Sequence, residues 1–73
     1  MEKMMTLRSM NSTVSVKGIV EDENTVSVDA FDFMEFQERH FQRAYIIAVI
    51  DRKAGRYNFG GITDGKAFFS KNL

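Results

Sequence analysis

Ala44-Tyr45-Ile46-Ile47-Ala48-Val49-Ile50 carries no charge, and its one strong hydrogen-bonding side-chain group is the Tyr45 hydroxyl. Four of these residues are β-branched. A strand with one wet face alternates apolar and polar residues, and this run does not. It reads as an inner strand covered on both faces, with the other elements arranged to shelter it. The competing reading is a helix that starts upstream and continues through the run, with Gly55 as its cap. Such a helix sets Ile46, Val49 and Ile50 on the face that carries Glu35, Arg39 and Gln42. β-Branched residues also favour strands, so the strand is the better reading.

Upstream of the run, residues 12–20 alternate. Val14, Val16 and Val20 share one face; Thr13, Ser15 and Lys17 share the other. Gly18 suggests a bulge. Residues 25–30 alternate again, with Val26, Val28 and Ala30 together. The polar turn Glu21-Asp22-Glu23-Asn24 joins the two strands into a hairpin. Asp32 then opens an amphipathic helix, with Glu35 placed as its capping-box partner. Phe33, Met34, Phe36, Phe41, Ala44 and Tyr45 fall on the apolar half. Glu35, Glu38, Arg39, Gln42 and Arg43 fall on the other. Gln37 and His40 lie in or beside the apolar half, where bonding to nearby backbone is their expected role.

Downstream, Lys53-Ala54-Gly55-Arg56 is a turn with a glycine available for positive φ. Residues 56–62 form a strand with Tyr57 and Phe59 on one face, and Gly60-Gly61 marks a bulge. Asp64-Gly65 is a two-residue hairpin signal before a last short strand over residues 66–70. These elements predict an α+β fold in the order ββαβββ, an antiparallel sheet of about five strands packed on one helix. Residues 1–11 fit neither period. Met4, Met5, Leu7 and Met10 there suit a flexible tail, an adaptable flap or an extra edge strand, the tail first. Residues 12–73 make a single α+β interaction domain.

A chain of 73 residues sits near the lower limit for a self-sufficient core. With no Cys and one His, disulfides and thiolate metal sites are unavailable, and no metal or cofactor is expected. No phosphate-cradling glycine loop, nucleophile elbow or nucleophile–base pair is present, so no catalytic residue is assigned and no small-molecule substrate is evident. No run suits a signal peptide or a membrane span, so the cytoplasm is the expected location.

The net charge is zero but uneven. Residues 1–38 hold three basic and eight acidic side chains; residues 39–73 hold seven basic and two acidic. Either the halves interleave and cancel, or the molecule has faces of opposite sign. Two candidate binding surfaces follow. One is acidic: Glu21, Asp22, Glu23, Asp32, Glu35 and Glu38, suited to a basic surface of a protein partner. The other is a basic and aromatic hairpin: Arg52, Lys53, Arg56, Tyr57 and Phe59, where cations hold a backbone and rings stack on bases.

The expected function is a small non-enzymatic protein-interaction module, a regulator or inhibitor that covers a partner's surface. Nucleic-acid binding through the 52–59 hairpin is the alternative. A homodimer is expected as well, because one helix covers one face of a sheet and the run at 44–50 needs a second cover. A phage or mobile-element origin suits so small a module.

Overall fold

The computed structural model of the protein describes residues 1–9, 12–40 and 44–71, and the backbone alone for residues 37–40. Six strands and one helix follow in order: β1 (Glu2–Arg8), β2 (Thr13–Asp22), β3 (Thr25–Asp29), α1 (Ala30–His40), β4 (Tyr45–Ile50), β5 (Lys53–Thr63) and β6 (Lys66–Ser70). The strands are not an open sheet lying on a helix. They form a closed antiparallel barrel in the order β1-β2-β3-β6-β5-β4. Two three-stranded meanders are therefore joined edge to edge, β3 to β6 and β1 to β4. The expected α+β sheet of five strands is overturned by this closure.

The reason lies in residues 2–8. Met5 and Leu7 point inward and are buried, while Met4 stays outside. The segment expected to be a tail first, with a flap or an extra edge strand as alternatives, is thus a strand that staples the barrel. It pairs with β2 along its whole length and with β4 through Thr6, Leu7 and Arg8. The Lys3 ammonium adds a hydrogen bond to the Val49 carbonyl. Closure pairs both edges over part of their length and lets the inward faces cover one another.

Residues 45–50 are a strand, but not one sheltered on both faces. Ile46 and Ala48 are buried in the core; Tyr45 and Ile47 are half-buried outside, and Val49 is 49% exposed. The helix does not cover this strand. It starts where β3 ends, and the Ala30 N–H donates to the Gly65 carbonyl in the β5–β6 turn. From there it drives Phe33 into that end of the barrel. Phe33 stacks on Phe59 with centroids 4.7 Å apart and meets the edge of Phe69 at 5.5 Å. Val26, Val28, Tyr57 and Ala67 complete the core around these rings.

Several local expectations shift for identifiable reasons. The helix begins at Ala30, not Asp32, because Asp29 is the cap: its Oδ1 accepts from the Phe31 N–H at 2.8 Å. Met34 is exposed, whereas Phe33 is buried and Phe36 half-buried. Phe41 and the junction at Arg43 lie outside the described residues, as do the side chains of Gln37, Glu38 and His40. Gly18 marks no bulge; a Cβ there would sit 2.5 Å from Met5 Sδ and 3.0 Å from the Ser27 carbonyl oxygen. The irregularity in that hairpin falls between Val20 and Asp22.

The β4–β5 turn is Asp51–Arg52, with φ of 52° and 69°, three residues earlier than the Lys53–Arg56 turn that the glycine suggested. A two-residue hairpin whose central residues both have positive φ matches the strand twist. Asp tolerates that region; Arg does so at a cost. Arg52→Gly is expected to raise stability by about 1 kcal/mol, read as a higher urea midpoint. Gly55 lies within β5, where a Cβ would crowd the Tyr57 ring at 3.2 Å and the end of Lys71 at 2.8 Å. The Asp64-Gly65 turn and the bulge between Phe59 and Gly61 stand where the sequence placed them.

Candidate functional site

Register aligns the outward side chains of β5, β4, β1 and β2 into rows. Asn58, Tyr45, Arg8 and Thr13 are successive cross-strand neighbours. One step along the strands, so are Arg56, Ile47, Thr6 and Ser15. Beyond them Ala54 pairs with Val49, and Met4 with Lys17. No carboxylate interrupts these rows. Glu2 and Asp51 stand outside them, toward the barrel mouth that carries the β2–β3 and β4–β5 turns.

Tyr45 is the centre of this face. The Arg56 guanidinium carbon lies 3.9 Å from its ring centroid and that of Arg8 6.0 Å. Such contacts orient both guanidiniums and the ring for about 0.5–1 kcal/mol at exposed sites. Asn58 Oδ1 accepts from Arg56 Nε at 3.1 Å, which fixes the fork further. Val49 and Met4, 49% and 59% exposed, add open apolar surface beside the cations. The combination of Tyr, Arg and Met with no acid is the composition that interface centres favour.

The basic, aromatic hairpin is dismantled by the same geometry. Arg52, Lys53 and Arg56 are exposed, but Tyr57 is 1% exposed and faces the core with Lys71 Nζ 5.4 Å from its ring. Phe59 packs in the Phe33–Phe69 cluster. Tyr57 offers no stacking surface, and the partly buried Phe59 is engaged by those two rings. The surface ring on this side is Tyr45, absent from the sequence-derived set along with Arg8. Its parity was legible: it shares a face with Ile47 and Val49 once Ile46 and Ala48 are inside.

The acidic residues do not form one patch. Glu21, Asp22 and Glu23 lie at the β2–β3 turn, whereas Asp32 and Glu35 sit on α1 at the opposite end of the barrel. Glu38 belongs to α1, but its side chain is outside the described residues. Asp22 Oδ1 accepts the Asn24 N–H at 2.8 Å, a turn-forming bond. Glu21 accepts from Ser27 Oγ at 2.6 Å and lies 3.3 Å from Lys66 Nζ. The acidic turn shares its barrel mouth with Arg52 and Lys53, so opposite charges offset each other there.

The Ser27 hydrogen bond, aided by Lys66, holds the Glu21 carboxyl below its ordinary range. A lowered folded-state value means the ionised form is favoured by folding. Its contribution is present above the unfolded pKa and lost as pH falls through the folded one. The chain is expected to lose stability on acidification in that window, and Ser27→Ala to flatten that part of the curve in thermal melts.

Two concavities accompany these features. An open groove of about 710 Å³ runs between the first half of β2 and α1, with Val14, Phe36, Lys17, Asp32 and Glu35 in its walls. A smaller one, about 270 Å³, lies over β2 and β3 near Ser27, Asp29 and Lys66. Among the described residues no cluster of His, Cys, Asp and Glu could hold a metal ion, and no helix is long and apolar enough to cross a membrane. No protein-family model, curated protein or solved structure matches the chain.

Proposed function

We propose that the chain is a non-enzymatic interaction module, a regulator or inhibitor that covers a protein partner with the outer face of β5, β4, β1 and β2. The observation that carries this reading is the carboxylate-free face centred on Tyr45, held between Arg56 and Arg8. It fits a partner presenting carboxylates around a shallow apolar depression. The Arg pair would set encounter and orientation; Tyr45, Val49 and Met4 would supply the desolvated centre. Lack of cysteine suits action in the reducing cytoplasm.

The test is recovery of a partner from host extract followed by titration of the purified pair. Arg56→Glu is expected to weaken binding by about 30-fold, the effect of losing about 2 kcal/mol at a hot spot. Reversal of Glu21, Asp22 and Glu23 together is expected to leave it within about twofold. Equal losses from both would sink the proposed face.

A second reading, nucleic-acid binding, is favoured by one observation. Arg8, Arg56 and Lys17 share the face with the hydroxyls of Thr6, Thr13 and Ser15, all of them side-chain types that contact phosphate and sugar. Titration of a single-stranded oligonucleotide at low and moderate salt decides it. Absence of salt-dependent binding at low salt removes this reading.

A further inference from the structure

β2 has a strand on both sides for only part of its length. β1 lines it from Thr13 to Ile19, whereas β3 meets it only over Gly18–Asp22. The hydrogen bonds at the two ends of the β1–β2 ladder show which backbone groups this leaves open. The Val20 N–H donates to the Met1 carbonyl at 2.9 Å, and the Ser9 N–H donates to the Ser12 carbonyl at 3.0 Å. The register between them is unbroken. Successive residues of a strand direct their N–H and C=O groups to opposite edges. Ser12, Val14, Val16, Gly18 and Val20 therefore bond toward β1, while Thr13 and Ser15 point to the other edge, beyond the end of β3. Among the described residues nothing bonds to the backbone of either on that side. The open edge borders the groove of about 710 Å³ between β2 and α1. Val14, 42% exposed, the buried Val16 and the half-buried Phe36 form its apolar floor. Asp32 and Glu35 line the wall formed by α1, and the one ion pair among the described residues, Lys66 with Glu21, does not involve them.

We propose that an extended segment of a protein partner adds to this edge of β2 as a further antiparallel strand. Unpaired N–H and C=O groups along a strand are a template for another backbone. Antiparallel is the sense of every strand pairing in the barrel. Residues of the segment opposite Thr13 and Ser15 exchange hydrogen bonds with them and carry their side chains outside. The residues between turn theirs onto Val14, Val16 and Phe36, so the segment alternates polar and apolar. Asp32 and Glu35 select a Lys or Arg among the polar positions; Lys17, also in the groove wall, excludes a cation directly opposite itself. β2 is the last strand of the face centred on Tyr45. The inference thus deepens the proposed function and rests on its reading of the partner as a protein.

The probe is a seven-residue peptide, capped at both ends, with valine at alternate positions, a central lysine and threonine at the remaining two. Titration to about 2 mM, followed by amide chemical shifts, is expected to saturate with a dissociation constant of about 1 mM or below and to move Thr13, Ser15 and Lys17 most. N-methylation of the lysine, whose N–H points at β2, is expected to weaken binding by about tenfold or more; N-methylation of the first valine, whose N–H points away, by no more than about twofold. Ser15→Pro removes the protein's own donor without touching the β1–β2 ladder. It is expected to match the larger of these losses while melting near the wild type. Should that variant fail to fold, the N-methylated peptides decide alone. No saturable binding, indifference to the lysine N-methyl group, or shifts confined to β4 and β5 overturn the inference. So does a dependence of the same amides on protein concentration without peptide, which gives the edge to a second copy. Arg56→Glu keeps the two readings apart: it is expected to leave the peptide's affinity unchanged while it weakens partner binding. A peptide that fails to bind, beside a partner still sensitive to Arg56→Glu, sinks strand addition alone. A peptide that binds, beside a partner indifferent to Arg56→Glu, sinks the Tyr45 face alone.

Discussion

A chain beginning at residue 9 is expected to lose its cooperative fold entirely. The deletion removes one barrel stave and with it the burial of Met5 and Leu7, which are 3% and 0% exposed. Truncating such residues to Ala costs about 2–5 kcal/mol each, and deletion removes both together with their backbone pairing. A domain of this length has roughly 4–11 kcal/mol of total stability. The loss is of the same order before the exposed edges are counted. Those edges make matters worse: β2 would lose its partner along residues 13–19, and β4 would lose its pairing through Tyr45, Ile46 and Ile47. Two unpaired strand edges with apolar inner faces invite association between chains. Far-UV circular dichroism, chemical-shift dispersion and gel filtration of the truncated chain check this. A soluble product melting as sharply as the full chain would show that β1 is dispensable. Leu7→Ala in the full chain provides the graded version, with a smaller drop in urea midpoint.

Phe33→Ala is expected to cost about 3–5 kcal/mol, enough to leave the barrel marginal or unfolded at 37 °C. Phe33 is fully buried, stacked on Phe59 and set edge-on to Phe69. Its removal leaves a void bounded by two rings whose backbones belong to paired strands and cannot collapse inward. Phe33→Leu should recover much of the loss, because it restores most of the volume while giving up the ring geometry. Met34→Ala, one position along the same helix, is the control; Met34 is 55% exposed, and its change should stay within about 0.5 kcal/mol. Urea titrations of the three variants decide the matter. A Phe33→Ala loss no larger than that of Met34→Ala would mean that the helix is an accessory and not the plug of the barrel.

These expectations turn on how much of the chain was readable beforehand. Period-2 alternation in residues 12–20 and 25–30 identified β2 and β3 because one face of each lies in the core and the other meets water. Asp64-Gly65 identified its hairpin because few dipeptides accept two positive φ values so readily. The same logic misplaced the β4–β5 turn. There Asp51 and Arg52 adopt positive φ although the second is a poor choice for it, while the nearby glycine serves close packing within a strand. The proposed face was half legible. Arg56 is in the set that the sequence offers; Tyr57 and Phe59, which by sequence suit a stacking face and core equally, are turned inward by their parity, and Tyr45, part of the run that reads as sheltered, lies outside.

By itself the amino-acid order determined the extended conformation of residues 13–22, 25–29 and 45–50, a helix between the second and third of these, and that no disulfide or thiolate-bound metal is possible; it did not determine that residues 2–8 are a strand. Closure of the barrel was settled only in three dimensions. An apolar run such as residues 44–50 looks alike whether its second face meets protein or the aliphatic and aromatic surface of Arg8, Tyr45 and Arg56. Whether a strand's edge is free or paired depends on residues far away in the chain, here β1 meeting β4 across some forty positions. Hydrogen bonds between strands are made by backbone common to every residue, so sequence periodicity reports the face of a strand but not the identity of its neighbour.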